Sequence, residues 1–405
     1  MVPSSRVKFF FGGILFGAVL LGAVFLVQYL ALVPEGLQKD QEGEVLQDKE
    51  GVTSSSKKSI ETEIEEVVKG LEVPWSLVFT SSERMLVTER PGRIRVVEKG
   101  VLQKESLHVF SEVVSNSEEG LMGLAVDPGY KENHLLYTSL AYMQSGNLVV
   151  KVMRFRDTGK ALEDPFVVID DIPAAKYHSG SRMKFGPDGK LYITTGDATD
   201  KNIAQDIQNL GGKTLRINAD GSIPEDNPFS GSPVWTYGHR NAQGLAWQPE
   251  TGRLYETEHG PTVFDGPAGG DEINRIEKGK NYGWPLVSHE KKRAGTEVPL
   301  LLFTPAIAPA GMTFYASDTI PQFTGKLFYS MLKGEGIMQA TLGSDGSIQK
   351  SEKMKNIEYG RIRDVVEGPD GALYFLTSNR DGRGSMKAGD DRIFRIKPKG
   401  EKNVQ

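Results

Sequence analysis

Three of the six histidines, His178, His239 and His259, stand in glycine-rich stretches: Tyr177-His-Ser-Gly-Ser-Arg182, Gly238-His-Arg-Asn-Ala-Gln-Gly244 and Glu258-His-Gly-Pro261. An imidazole titrates near neutrality, so a histidine held in such a loop suits general-base work. Each loop alone reads equally well as a connecting turn whose histidine caps backbone groups. His108, His134 and His289 sit among ordinary polar neighbours and read as structural or surface residues. Cations form a second group. Arg361 and Arg363, two apart in Gly360-Arg-Ile-Arg-Asp364, project from one face if the segment is a strand. Like charges side by side need an answering anion, and Asp364 is a candidate. Arg240 and Lys333 are further donors if their loops converge, and such a cation pocket suits a small polyanion. A third group joins Gly260-Pro261, Gly269-Gly-Asp-Glu272 and Asn281-Tyr-Gly283. Their carboxylates and glycine-exposed carbonyls match the oxygen ligands of calcium, or equally a turn in which Asp and Glu cap amides.

The elements that would carry these loops repeat. A hydrophobic stub, a Gly/Pro/Asp turn and a Leu-Tyr strand recur as Phe185-Gly-Pro-Asp-Gly-Lys-Leu-Tyr-Ile, Trp247-Gln-Pro-Glu-Thr-Gly-Arg-Leu-Tyr-Glu and Glu367-Gly-Pro-Asp-Gly-Ala-Leu-Tyr-Phe. Looser copies end at Leu86, Leu136 and Leu327. A β-branched phrase follows each: Arg93-Ile-Arg-Val-Val, Lys151-Val-Met-Arg-Phe, Thr214-Leu-Arg-Ile-Asn, Glu272-Ile-Asn-Arg-Ile, Ile337-Met-Gln-Ala-Thr and Arg392-Ile-Phe-Arg-Ile. Both registers count six. Spacings of about 46 to 73 residues between the leucines, without sustained helical periodicity, predict an all-β, six-bladed β-propeller over residues 61–400. The segment around Glu63 to Leu71 is expected to lend a strand to the blade holding Arg392 to Ile396. Loops on one face of a propeller are where ligands bind.

The 405 residues are 38% hydrophobic and 25% charged, which is ordinary globular composition. A net charge of -5 gives no electrostatic reason for a nucleic-acid partner. With no cysteine, disulfides, thiolate metal sites and cysteine nucleophiles are excluded. From Phe9 to Val33 the chain is apolar apart from Gln28 and Tyr29, and it follows Arg6 and Lys8. That run suffices to cross a bilayer, which takes about 20 residues. Residues 1–34 therefore read as an N-terminal transmembrane helix retained after export, with a cleaved signal segment as the alternative. Its basic end lies in the cytoplasm and the rest is extracytoplasmic, in the periplasm or at the cell surface. Residues 35–60, polar, acidic and without period, read as a disordered tether.

Taken in order, His178-Ser-Gly-Ser-Arg-Met-Lys-Phe-Gly-Pro-Asp-Gly-Lys-Leu-Tyr, Gly238-His-Arg-Asn-Ala-Gln-Gly, Glu258-His-Gly-Pro, Gly269-Gly-Asp-Glu-Ile-Asn and Lys280-Asn-Tyr-Gly-Trp-Pro285 resemble the soluble glucose/sorbosone dehydrogenases, in particular the aldose sugar dehydrogenase branch. The resemblance runs from about Leu71 to Pro398. It implies a six-bladed propeller that uses pyrroloquinoline quinone and calcium to oxidise aldoses at the anomeric carbon to lactones, passing electrons to a membrane-bound or diffusible acceptor. By that resemblance His178 is the general base. Arg240 and Asn241 bind the quinone near its reactive carbonyl, Arg240 also stabilising charge during catalysis. Lys333, Arg361 and Arg363 hold the cofactor's carboxylates. Main-chain oxygens of Gly260 and Pro261 reach a calcium ion, and Glu272 with the backbone of Tyr282 forms a second, structural calcium site. Glu118 joins the cofactor-binding set where the family often has Gln; an acid there accepts from a sugar hydroxyl and changes the local charge. The segment from Thr262 to Ala268 is longer than the family's usual link. Two other classes compete: a calcium-dependent lactonase or esterase propeller, and a non-catalytic glycan- or protein-binding propeller.

Overall fold

The spelling of the repeat follows from its hydrogen bonds. In the copy at residues 186–192 the Gly189 amide bonds the Gly186 carbonyl at 3.0 Å, with Gly189 at φ 71°, a left-handed conformation that favours glycine. Asp188 Oδ1 accepts from the Lys190 amide (3.1 Å), and its Oδ2 accepts from the Tyr192 hydroxyl (3.0 Å) and Arg216 Nε (2.9 Å). Asp370 repeats this with Tyr374 (2.9 Å) and Arg395 (3.1 Å). One aspartate thus ties a turn, the strand after it and the next strand.

The protein is described here by a computed structural model covering residues 59–400. Six antiparallel sheets follow one another along the chain, at residues 74–109, 121–173, 183–237, 242–303, 309–353 and 362–398, and they are called blades 1 to 6 below. Each begins with its innermost strand. Leu86, Leu136, Leu191, Leu254, Leu327 and Leu373 fall on second strands, and the β-branched phrases fall on third strands. Blade 6 takes its outermost strand from the start of the described chain, Thr62–Lys69 pairing antiparallel with Arg392–Pro398.

The innermost strands contact one another in sequence, and that of blade 6 contacts that of blade 1. The approach is close enough that a Cβ on Gly123 would strike the Ser181 carbonyl, and one on Gly244 the Ala310 carbonyl. Hydroxyls on second strands reach the next blade: Thr88 to the Met122 carbonyl (2.6 Å), Ser139 to Ser181 (3.2 Å), Thr194 to Ala242 (2.9 Å) and Thr257 to Ala310 (2.7 Å). The Leu77 amide donates to Asp364 Oδ2 (3.2 Å), linking blade 6 to blade 1. Apolar side chains fill the space between sheets; Tyr137, Leu191, Ile193, Leu215 and Ile217 are buried in one such cluster. Because strand direction alternates, the loops leading into innermost strands and those joining second to third strands gather at one end of the ring.

The expected anchor, residues 1–34, and the expected tether up to residue 58 lie outside the described residues. No helix among the described residues is long and apolar enough to cross a membrane.

Candidate active site

Topology alone puts most of the candidate residues at that one end. Glu118 lies in the loop leading into blade 2, His178 into blade 3, Arg240 and Asn241 into blade 4, and Arg361 into blade 6. Gly260, Pro261 and Lys333 lie between second and third strands of blades 4 and 5, and Arg363 is on the innermost strand of blade 6.

His178 is held with unusual firmness. Its backbone is left-handed (φ 60°), and a Cβ on Gly196 would collide with its carbonyl group. Its Nδ1 lies 2.7 Å from Asp197 Oδ1, and Asp197 in turn accepts from Trp284 Nε1 (2.8 Å) and the Thr199 amide (2.9 Å). A carboxylate can only accept, so Nδ1 carries the proton and Nε2 is left with a free lone pair. The Asp197 amide donates to the Arg240 carbonyl (2.8 Å), and Asn241 Oδ1 accepts from the Gly180 amide (3.2 Å) and Gln243 Nε2 (2.9 Å). Gln243 Oε1 accepts from Arg363 (2.9 Å). Hydrogen bonds thus link His178 to Arg240 through Asp197, and Asn241 to Arg363 through Gln243, the two runs meeting at the Arg240–Asn241 peptide bond.

The cations have answers the sequence did not suggest. Asp364 pairs with Arg182 (2.9 Å), not with its neighbours Arg361 and Arg363 as expected. The ladder shifts register between Ile362 and Asp364, which turns the Asp364 carboxylate towards blade 3. Arg361 pairs instead with Asp381 (2.7 Å), and Arg363 stacks over the Trp75 ring at 5.6 Å. Burial pushes Arg363 down to about 9, against the pull of Asp381. Arg182 spans the axis of the ring, reaching Ser76 (3.2 Å) and the Gln243 carbonyl (2.9 Å) as well as Asp364. Even so, single guanidinium nitrogens of Arg90, Arg182, Arg240 and Arg363 are buried without a hydrogen-bond partner. Glu118 accepts from the His178 amide (3.2 Å) and pairs with Arg383 (2.5 Å). Burial would raise its carboxyl, but Arg383 and His259 hold it down to about 2. Lys333 is exposed and makes no ion pair among the described residues.

Of the other two loop histidines, His259 Nε2 donates to the Pro309 carbonyl (2.9 Å) and burial pushes it down to about 4. His239 is fully buried between Glu256 (3.1 Å) and Glu258 (2.9 Å). Burial opposes its charge, yet the two carboxylates push it up to about 10, so an imidazolium pairs with them. Neither is placed as a base. A pocket beside Arg240 is lined by Glu258, Gly260, Pro261, Glu272, Tyr282 and Trp284. Glu272 faces Glu258 across the strand pair, and burial together with Glu258 pushes its carboxyl up to about 8. The Tyr282 hydroxyl is committed to the Arg275 carbonyl (2.6 Å), leaving only its backbone for a ligand. The sequence missed Asp197, Arg182, Trp284, Asp381 and Arg383 as site residues. Asp197 had one usable signal, its place in a Thr-Gly-Asp turn directly after the second strand of blade 3.

Residues 71–387 match the family described as Glucose / Sorbosone dehydrogenase. The aldose sugar dehydrogenase YliI of Escherichia coli is 34% identical over 338 residues, 77% of this chain and 89% of that protein. The quinoprotein glucose dehydrogenase B of Acinetobacter calcoaceticus is 32% identical over 262 residues, 56% of this chain and 53% of that protein. Among solved structures, the aldose sugar dehydrogenase of Streptomyces coelicolor in its PQQ-bound form superposes with a TM-score of 0.73 at 33% identity, covering 84% of this chain and 98% of that one.

Proposed function

The chain belongs to the glucose/sorbosone dehydrogenase family, and from that premise and the geometry of the mouth we infer that it is a quinoprotein aldose dehydrogenase, oxidising sugars at the anomeric carbon to lactones. The observation that carries this is the set of buried, unpartnered guanidinium nitrogens on Arg90, Arg182, Arg240 and Arg363, with Arg240 joined to the His178–Asp197 pair through its carbonyl. Buried donors without partners are costly, and a planar polyanion carrying carboxylates would satisfy them. Pyrroloquinoline quinone fits that description, with Arg361, Arg363 and Lys333 towards its carboxylates and Arg240 and Asn241 towards its carbonyls. Bound there, it supplies a two-electron acceptor that no side chain offers. A calcium ion fits the oxygen-rich pocket, with carbonyls of Gly260 and Pro261 on one side; Glu272, ionised on binding, and the Tyr282 backbone suit a second ion.

The chain's own residues handle the proton. His178 Nε2 accepts it from the anomeric hydroxyl as the C1–H bond gives up its electron pair. Asp197 keeps the imidazole in the reactive tautomer and stabilises the imidazolium that results. Trp284 Nε1 and the Thr199 amide keep Asp197 aimed at the imidazole. We further propose that residues 1–34 anchor the protein so that this mouth lies outside the cytoplasmic membrane, delivering electrons to an acceptor there.

The purified protein, stripped of metal and cofactor, should reduce an artificial dye with an aldose only when pyrroloquinoline quinone and calcium are both restored. No reduction across a panel of aldoses would overturn the reading. Ester turnover without the quinone would favour the hydrolase, and absence of quinone binding with calcium present would favour a binding module.

A further inference from the structure

Residues 262–268 form a closed loop between the second and third strands of blade 4, its neck tied by the Gly269 amide on the Pro261 carbonyl (3.1 Å). Its two apolar residues are turned out: Val263 is 77% exposed and Phe264 95%. The side chain turned in is a carboxylate. Asp265 Oδ1 accepts from the amide (2.7 Å) and hydroxyl (3.1 Å) of Thr262, and the Asp265 and Gly266 amides return to the Thr262 carbonyl (3.1 and 2.9 Å). Asp265 Oδ2 accepts from Arg240 Nε at 2.8 Å.

For Arg240 this contact is decisive. The side chain is 3% exposed, and among the described residues Asp265 is the one carboxylate paired with its guanidinium. Glu258 takes the Arg240 backbone amide instead, Nη1 reaches the His259 carbonyl at 3.3 Å, and Nη2 is buried and unpartnered. Two bonds to a planar fork fix its rotation about the long axis and aim the third nitrogen. Without Asp265, Nε would be a second orphaned donor and the buried cation would turn towards Glu258 or Glu272, both of which line the same pocket.

Resting on the function inferred above, we propose that Asp265 is a positioning residue for Arg240, so that the loop serves the active site through this one carboxylate and not through its exposed tip. The loop holds the arginine in the orientation that quinone binding and sugar oxidation use. A small displacement of such a group costs up to about 100-fold in rate.

The test uses the full chain with D265A, D265N, D265E and the tip variant V263S/F264S. Quinone affinity is read by titrating the metal-loaded apoprotein, alongside kcat, sugar KM and thermal melting. D265A and D265N should weaken quinone binding about tenfold and lower kcat about 10- to 100-fold, with sugar KM changed less than about twofold. D265E should recover most of both, and V263S/F264S should match the wild type. If the wild type binds quinone and D265A binds it equally with unchanged kcat, this inference falls while the functional one stands. Losses shared by the tip variant, or scaling with melting temperature across all variants, would also overturn it. If the wild type binds no quinone, the functional inference itself falls.

Discussion

His178 does its work through what surrounds it. A histidine free to rotate would present either nitrogen, whereas the 2.7 Å contact to Asp197 selects one. H178A should lower kcat by about 10²- to 10⁴-fold, the usual range for a general base, and leave quinone binding unchanged. D197N should lower kcat as well, because an amide can turn its NH2 towards Nδ1 and favour the opposite tautomer. Steady-state kinetics paired with a quinone titration checks both, and full activity of H178A would refute the assignment. His178 could be picked out in the sequence only as one of three histidines in glycine-rich loops, singled out among them by the family resemblance. Asp197 offered only its place in a Thr-Gly-Asp turn, because its role exists only when the loop after the second strand of blade 3 folds back over residue 178.

Loops from different blades meet across the mouth, and the Glu118–Arg383 pair joins two of them across 265 residues of sequence. It also answers the acid at position 118: Arg383 pairs with it. The folded carboxyl sits at about 2 against 4.5 in a free peptide, so its stabilisation is fully present above pH 4.5 and is lost as pH falls through about 2. Arg383 is 51% exposed, so the pair contributes at most about 1 kcal/mol. E118Q should therefore melt slightly below the wild type at neutral pH, with the gap closing between pH 4.5 and 2. A gap that persists or widens on acidification would contradict the pairing. The blades themselves were legible because each first hairpin is satisfied locally, as in the Asp188–Tyr192 bond between residues four apart. The expectation that Asp364 answers Arg361 and Arg363 failed because a register shift turned that carboxylate towards another blade.

At the scale of the whole molecule, stability depends on closing the ring. Thr62–Lys69 supplies the outer strand of blade 6, and its Val68, 5% exposed, is buried in a cluster with Leu376 and Ile393. A chain beginning at Leu71 should lose about 2 kcal/mol from Val68 alone, together with the strand's hydrogen bonds, and show a clearly lower melting temperature. An unchanged melt would mean the closure contributes nothing. Residue order by itself determined the number of blades, the class of the fold and the family, because hairpins and their turns are local and repeat. It also supplied the histidine, arginine and glycine types from which a site is made. Which carboxylate answers which cation was decided only in three dimensions. Arg182 meets Asp364 across 182 residues, and Asp197 meets Trp284 across 87. Such pairings have no period and no short-range signal; they arise when six locally specified sheets close around one axis and bring distant loops to the same end.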